Sequence, residues 1–120
     1  MILQKVTFFH KDRNAVSVDD FYYRGYEDKL MGKKGTGVRR VAAELIKQGK
    51  ILDRFLVLLD NGCRLEIHTI FKDRSALEEF ISHDITDSAR DFWKDREWVK
   101  TVELIEIKDF LSVRSKLVIP

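Results

Sequence analysis

The clearest pattern along the chain is "DRFLVLLDNGCRLEIHTIF", in which stretches rich in apolar, β-forming residues lie on both sides of the dipeptide Asn61-Gly62. Asn-Gly is the favoured sequence of a two-residue type I′ turn, because both central positions of that turn have positive φ. The pattern therefore predicts a β-hairpin over residues 53–71. The turn fixes three facing pairs, which are Leu58 with Leu65, Leu56 with Ile67, and Phe55 with His68.

Helical periodicity precedes the hairpin. An apolar stripe predicts a helix that begins at Val38 and is terminated by Gly49, a natural C′ residue. The stripe consists of Val38, Val41, Ala42, Leu45 and Ile46. A second helical pattern covers residues 17–31, where Ser17 and Asp20 form the cap and Gly25 interrupts the helix.

Helical periodicity also follows the hairpin. Ser75 and Glu78 form a capping box at the start of "SALEEFISHD". A stripe continues the helix after a break near Asp84, with Ile85, Ala89, Phe92, Trp93 and Val99 on one face. The simplest role for Phe92, Trp93 and Trp98 is the core of this helix, and a stacking role is the alternative.

Residues 2–9 and 101–110 are rich in β-forming residues and predict two more strands. The complete order is strand, helical crossover, strand, strand, helical crossover, strand. This order predicts an α+β, ferredoxin-like βαββαβ sandwich with a four-stranded antiparallel sheet. No linker divides the chain, so residues 1–120 are predicted to form a single domain.

Both faces of the predicted sheet carry apolar residues, although the helices cover only one. The face opposite the helices is predicted to contain Phe55, Val57, Leu59, Ile70, Ile105 and Ile107. A second copy of the sheet is the economical cover, so we expect a homodimer that pairs sheet to sheet as an α+β barrel. The apolar C-terminal residues 111–120 are expected to pack on the partner subunit.

Composition argues against several other kinds of site and of protein. The net charge of +2 gives no general basis for nucleic-acid binding. Cys63 is the single cysteine, so an internal disulfide and a thiolate metal site are both excluded. The three histidines lack metal-ligand spacing, and we predict neither a metal nor a cofactor. No segment has the pattern of a signal peptide or membrane span, which makes a cytoplasmic protein the expectation.

The segments "LLDNGCRLEIHTIFKDRSALEEFISHD" and "FWKDREWVKTVELIEI" resemble the dimeric α+β barrel proteins related to antibiotic-biosynthesis monooxygenases. The resemblance covers about residues 51–108. It implies two ferredoxin-like sheets paired face to face. A small apolar molecule would then be bound or transformed in a pocket between sheet and helices. The aromatic candidates for that pocket are Tyr22, Tyr26 and Trp93.

A glycine-rich basic loop, "MGKKGTGVRRV", supports a different function. It is similar to the G-x-x-G loop of KH domains, whose glycines let the backbone approach phosphates. The candidate anion-binding residues are Lys33, Lys34, Thr36, Arg39 and Arg40. This interpretation makes the chain a binding module for phosphate or single-stranded nucleic acid, but a KH fold leaves "DFWKDREWVKTVELIEI" surplus. The alternative without a ligand is a tight bend between two helices, in which the cations form a solvated face.

Two histidines are candidate catalytic residues. His68 faces Phe55 near the middle of the second sheet face, where it is either a general base or a packed interface residue. His83 lies at the end of a helix, where a cation compensates the helix dipole. Neither pattern decides between enzyme and binding protein, and a structural or assembly role is the third hypothesis.

Overall fold

The computed structural model describes residues 1–10, 38–60, 64–83 and 98–111. These residues form four strands and two helices in the predicted order. Their bounds are β1 Ile2–His10, α1 Val38–Lys47, β2 Ile51–Leu59, β3 Arg64–Phe71, α2 Arg74–Ser82 and β4 Trp98–Glu106. The helix predicted over residues 17–31 lies outside the described residues.

The strands form one antiparallel sheet in the order β2-β3-β1-β4. Strand β1 is therefore central, with β3 on one side and β4 on the other. The predicted ferredoxin-like α+β fold is confirmed. Because β4 pairs with β1 along its whole length, this fold accounts for a strand that a KH fold would leave surplus.

The predicted register of the β2–β3 hairpin is confirmed. The observed pairs include Phe55 with His68, Leu56 with Ile67, and Leu58 with Leu65. Asp60 has a φ of 52°, so the chain leaves strand geometry at that residue. The predicted turn residues, Asn61 and Gly62, lie outside the described residues.

Helix α1 ends in a Schellman motif at Gly49. The Lys50 amide donates to the Leu45 carbonyl over 2.8 Å, and the Gly49 amide donates to the Ile46 carbonyl over 3.0 Å. Gly49 has a φ of 75°, which glycine adopts without steric cost. Four residues of the predicted stripe are buried, namely Val38, Val41, Ala42 and Leu45. The fifth residue of the stripe, Ile46, lies at its margin and is 46% exposed.

The predicted capping box of helix α2 is wrong. The N-cap is Asp73, whose carboxylate accepts a hydrogen bond of 2.9 Å from the amide of Ala76. Ser75 consequently lies inside the first turn, two residues after the cap. Aspartate and serine are both good N-caps, and here the helix starts almost directly after β3 ends at Phe71. The buried residues of α2 are Ala76, Leu77 and Phe80.

Strand β4 begins earlier than predicted. Trp98 and Val99 were both predicted as helical, but they pair with His10 and Phe9 at the end of β1. The physical reason is the length of β1, which offers backbone partners as far as His10. Within the described residues, no helix is long and apolar enough to cross a membrane.

The cap of α2 provides the first test. Asp73→Ala should lower the free energy of unfolding by about 1 kcal/mol, because the Ala76 amide loses its acceptor. In a domain of this size that corresponds to a fall in Tm of about 4 °C. The matched control is Ser75→Ala, which should change stability by about 0.5 kcal/mol or less. A larger loss in the control than in Asp73→Ala would restore the predicted capping box.

Candidate functional site

The strand register divides the side chains of the sheet between two faces. Directly opposed residues of an antiparallel sheet share a face, and successive residues alternate between faces. Helix α1 packs against β2 and α2 against β3, which defines a helix face. On β1 the helix face consists of Ile2, Gln4, Val6, Phe8 and His10, and the residues paired with them share it. The open face of β1 consists of Leu3, Lys5, Thr7 and Phe9.

In the described part of the chain, the helix face is buried on β3 and exposed on β4. Leu65 and Phe71 of β3 have no exposed surface. On β4, Val102 is 52% exposed and Leu104 is 48% exposed, although both belong to the helix face. These two apolar side chains form a floor beside the covered half of the core, and we call them the β4 floor.

A row of polar residues crosses the same face. Gln4 pairs with Thr69 of β3 and with Leu104 of the β4 floor. Gln4 and Thr69 are both buried, and Thr69 pairs in turn with Arg54 of β2. The row thus runs from Arg54 through Thr69 and Gln4 to Leu104, and the rows on both sides of it are apolar except for Glu106, which pairs with Ile2.

A β-bulge places Arg54 in this row. The pairing of β2 with β3 shifts between Ile51 and Asp53, so Leu52 is an extra residue. Because of the extra residue, Ile51 and Arg54 both lie on the helix face although they are three positions apart. Without it, Ile51 and Arg54 would point to opposite faces.

The open face has a charged centre around Glu66. Three side chains approach its carboxylate: His68 Nε2 at 3.1 Å, Arg64 Nη2 at 3.3 Å and Lys5 Nζ at 3.8 Å. Burial alone would raise the pKa of Glu66, but the His68 hydrogen bond and the charges of Lys5 and Arg64 outweigh burial. The pKa therefore lies below the ordinary value of 4.5.

The orientation of His68 follows from the same contacts. An ionised carboxylate only accepts hydrogen bonds, so the Nε2 of His68 carries the proton that it donates to Glu66. The ring also stacks on Phe55, with centroids 4.7 Å apart and planes 4° apart. His68 is therefore held on two sides, with 16% of its side chain exposed.

The open face is less apolar than the sequence predicts. Its central strands carry the charged group of Lys5, Arg64, Glu66 and His68. The exposed apolar residues lie on the two edge strands, where Phe55 is 43%, Leu59 37% and Ile105 38% exposed. The predicted apolar surface is thus divided into two edges around a polar centre.

A separate groove of about 200 Å³ lies between the two helices. It brings together His83 and Arg40, which were predicted in different roles. Glu44 and Glu79 line the same groove, so their carboxylates offset the positive charge that a phosphate site needs. Of the other candidate anion-binding residues, Arg39 lies in α1, and Lys33, Lys34 and Thr36 fall outside the described residues.

The predicted pocket residues Tyr22, Tyr26 and Trp93 also fall outside the described residues. The sequence analysis missed Gln4, Thr69 and Glu66. A signal for Gln4 was present, because it interrupts the apolar series Ile2, Val6 and Phe8 at strand spacing. The sequence does not reveal that Val102 and Leu104, on the same face of β4, are exposed.

Comparisons with known proteins support the fold. A scan against models of protein families finds no match, and no curated protein sequence matches significantly. Solved structures do match. A Deinococcus radiodurans protein provisionally assigned as an antibiotic biosynthesis monooxygenase superposes with a TM-score of 0.63 and 10% identity, over 93% of this chain and 97% of that chain.

Two further solved structures also superpose on this chain. A protein from Mycobacterium tuberculosis gives a TM-score of 0.59 with 11% identity, over 93% of this chain and its whole length. Another antibiotic biosynthesis monooxygenase gives 0.57 with 14% identity, over 91% of this chain and its whole length. The chain shares the ferredoxin-like fold of these proteins.

The charged centre of the open face provides a test in acid. The stabilising contribution of the ionised Glu66 is complete above pH 4.5, the ordinary value, and is lost as the pH falls through the lowered pKa. Glu66→Gln should lower stability at pH 7 by about 1–3 kcal/mol, because its charge-assisted bonds are lost. Its stability should then decline less than that of the wild type below pH 4.5.

Chemical denaturation at several pH values measures both effects. The control is Glu78→Gln, which changes an exposed carboxylate on α2 and should preserve the acid dependence of the wild type. Parallel acid dependence in the wild type and Glu66→Gln would contradict the assigned role of Glu66.

Proposed function

We propose that the protein binds a small, mostly apolar molecule between the sheet and its helices, and that the β4 floor is part of this site. The exposure of Val102 and Leu104 on the helix face carries the proposal. Ligand sites are concave and largely apolar, with a few polar groups that orient the ligand. The β4 floor provides the apolar surface, and Gln4 is the adjacent polar group.

The similar structures give independent support. Two of them carry the name antibiotic biosynthesis monooxygenase, which agrees with a small molecule as ligand. Their identity to this chain is 10% and 14%, so the agreement extends to the fold and not to a reaction. We assign no catalytic residue at the β4 floor.

We also propose that the protein is a homodimer that pairs through its open faces. Phe55, Leu59 and Ile105 expose apolar surface on the two edges of this face. The charged centre can be covered because Glu66 already has partners within its own chain, so its carboxylate does not depend on water. A second copy would then cover the apolar edges, and the Glu66 carboxylate between them is already buried and paired within each chain.

Ligand binding can be tested with Nile red, an uncharged apolar dye whose fluorescence rises in apolar sites. Leu104→Gln should weaken dye binding about tenfold or more, because burial of a leucine contributes about 1.5–3 kcal/mol. The matched control is Ile46→Gln, which removes a similarly exposed apolar side chain from α1. Equal dye affinity in the wild type and Leu104→Gln would contradict the proposed site.

Assembly can be tested by light scattering at micromolar concentration. The wild type should have about twice the mass of one chain, and Val57→Lys should have the mass of one chain. The lysine places a charge on the open face of β2 without changing the helix face. The control is Ile81→Lys, on the exposed side of α2, which should remain dimeric. A wild type with the mass of one chain would exclude the dimer.

A further inference from the structure

We infer that the ligand of the β4 floor carries an uncharged hydroxyl or carbonyl group, and that Gln4 forms a hydrogen bond with it. This inference rests on the proposed function, because it describes the ligand of the same site. The supporting observation is the polar row on the helix face, which ends at the exposed side chain of Leu104.

Gln4 lies between the buried part of the row and its exposed end. Exposure rises along the row from 2% at Thr69 to 9% at Gln4 and 48% at Leu104. Gln4 is therefore the polar residue next to the open end. Neighbouring strands are about 4.8 Å apart, so a molecule that rests on Leu104 lies within reach of the Gln4 amide.

The side chains of the polar row indicate which polar group the ligand carries. A side-chain amide offers both a donor and an acceptor, which suits a hydroxyl or a carbonyl. A carboxylate would need a nearby cation. Arg54 is separated from Leu104 by both Thr69 and Gln4, and the Lys100 amine lies 5.9 Å from the centre of the Phe8 ring, farther along the sheet. Among the described residues, the open end of the row therefore has no cation nearby, and the charged side chain next to it on β4 is the carboxylate of Glu106, which would repel an anionic ligand.

Loss of water around Gln4 should make the site prefer a ligand with a hydroxyl group over an apolar one. A wholly apolar ligand on Leu104 would exclude water from Gln4 and leave its buried amide without a partner. A ligand with a matching hydroxyl restores the hydrogen bond. We therefore expect a preference of about tenfold or more for the hydroxyl-bearing member of a matched pair. A purely structural role for Gln4 predicts no such preference.

Displacement of Nile red by three probes of similar size tests the inference. The probes are naphthalene, 2-naphthol and 2-naphthoate. The wild type should bind 2-naphthol about tenfold more tightly than naphthalene, and 2-naphthoate no more tightly than naphthalene. Gln4→Met, which keeps the volume but removes the amide, should bind 2-naphthol and naphthalene equally. Thr101→Val, on the open face, is the control and should keep the preference.

The outcomes separate this inference from the proposed function. Equal binding of naphthalene and 2-naphthol by the wild type would overturn the inference and leave the apolar site in place. An unchanged preference in Gln4→Met, or tightest binding of 2-naphthoate, would do the same. Absence of Nile red binding would overturn the proposed function and the inference together. The wild-type comparison remains decisive even where Gln4→Met fails to fold.

Discussion

The antiparallel pairing of β1 with both of its neighbours is the constraint on which the rest of the structure depends. Side chains alternate along a strand, so a shift of one residue would exchange the two faces of β1. Phe8, which has no exposed surface, would then leave the core, and Lys5 would enter it. An unpaired buried ammonium is far too costly for a domain of marginal stability. The observed register is therefore the one that keeps both residues in suitable surroundings.

The same register places polar groups on both faces of the sheet, and these groups are stabilised differently on each face. On the helix face an apolar layer contains a short polar row, whose members need partners when water is excluded. On the open face the problem is a carboxylate, Glu66, which is kept ionised by neighbouring cations. Each face thus carries a cluster of polar groups between apolar residues. On the helix face Gln4 pairs with Leu104, which is exposed and belongs to the β4 floor, and for this reason we locate the ligand there.

The sequence predicted the elements whose signals are local. The hairpin register follows from one dipeptide, and the end of α1 follows from Gly49, which needs a positive φ. The predicted N-cap of α2 was wrong because Asp73 and Ser75 are both suitable caps. The choice between them depends on where β3 ends. The predicted start of β4 was wrong for a similar reason, because the first residue of β4 depends on the length of β1. The β4 floor is a consequence of packing, because exposure of Leu104 depends on where the helices lie and not on its own neighbours in sequence.

The neighbouring positions of β1 and β4 also have a consequence for folding. These strands come first and last in the element order, so their pairing closes a loop that contains every other element. Long-range pairing of this kind forms more slowly than the local β2–β3 hairpin, because more chain entropy must be lost first. Gln4 lies on β1 and Leu104 on β4, so the ligand site exists only after this last pairing. A ligand bound there would hold together the two strands that meet last and would shift the folding equilibrium of the whole sheet.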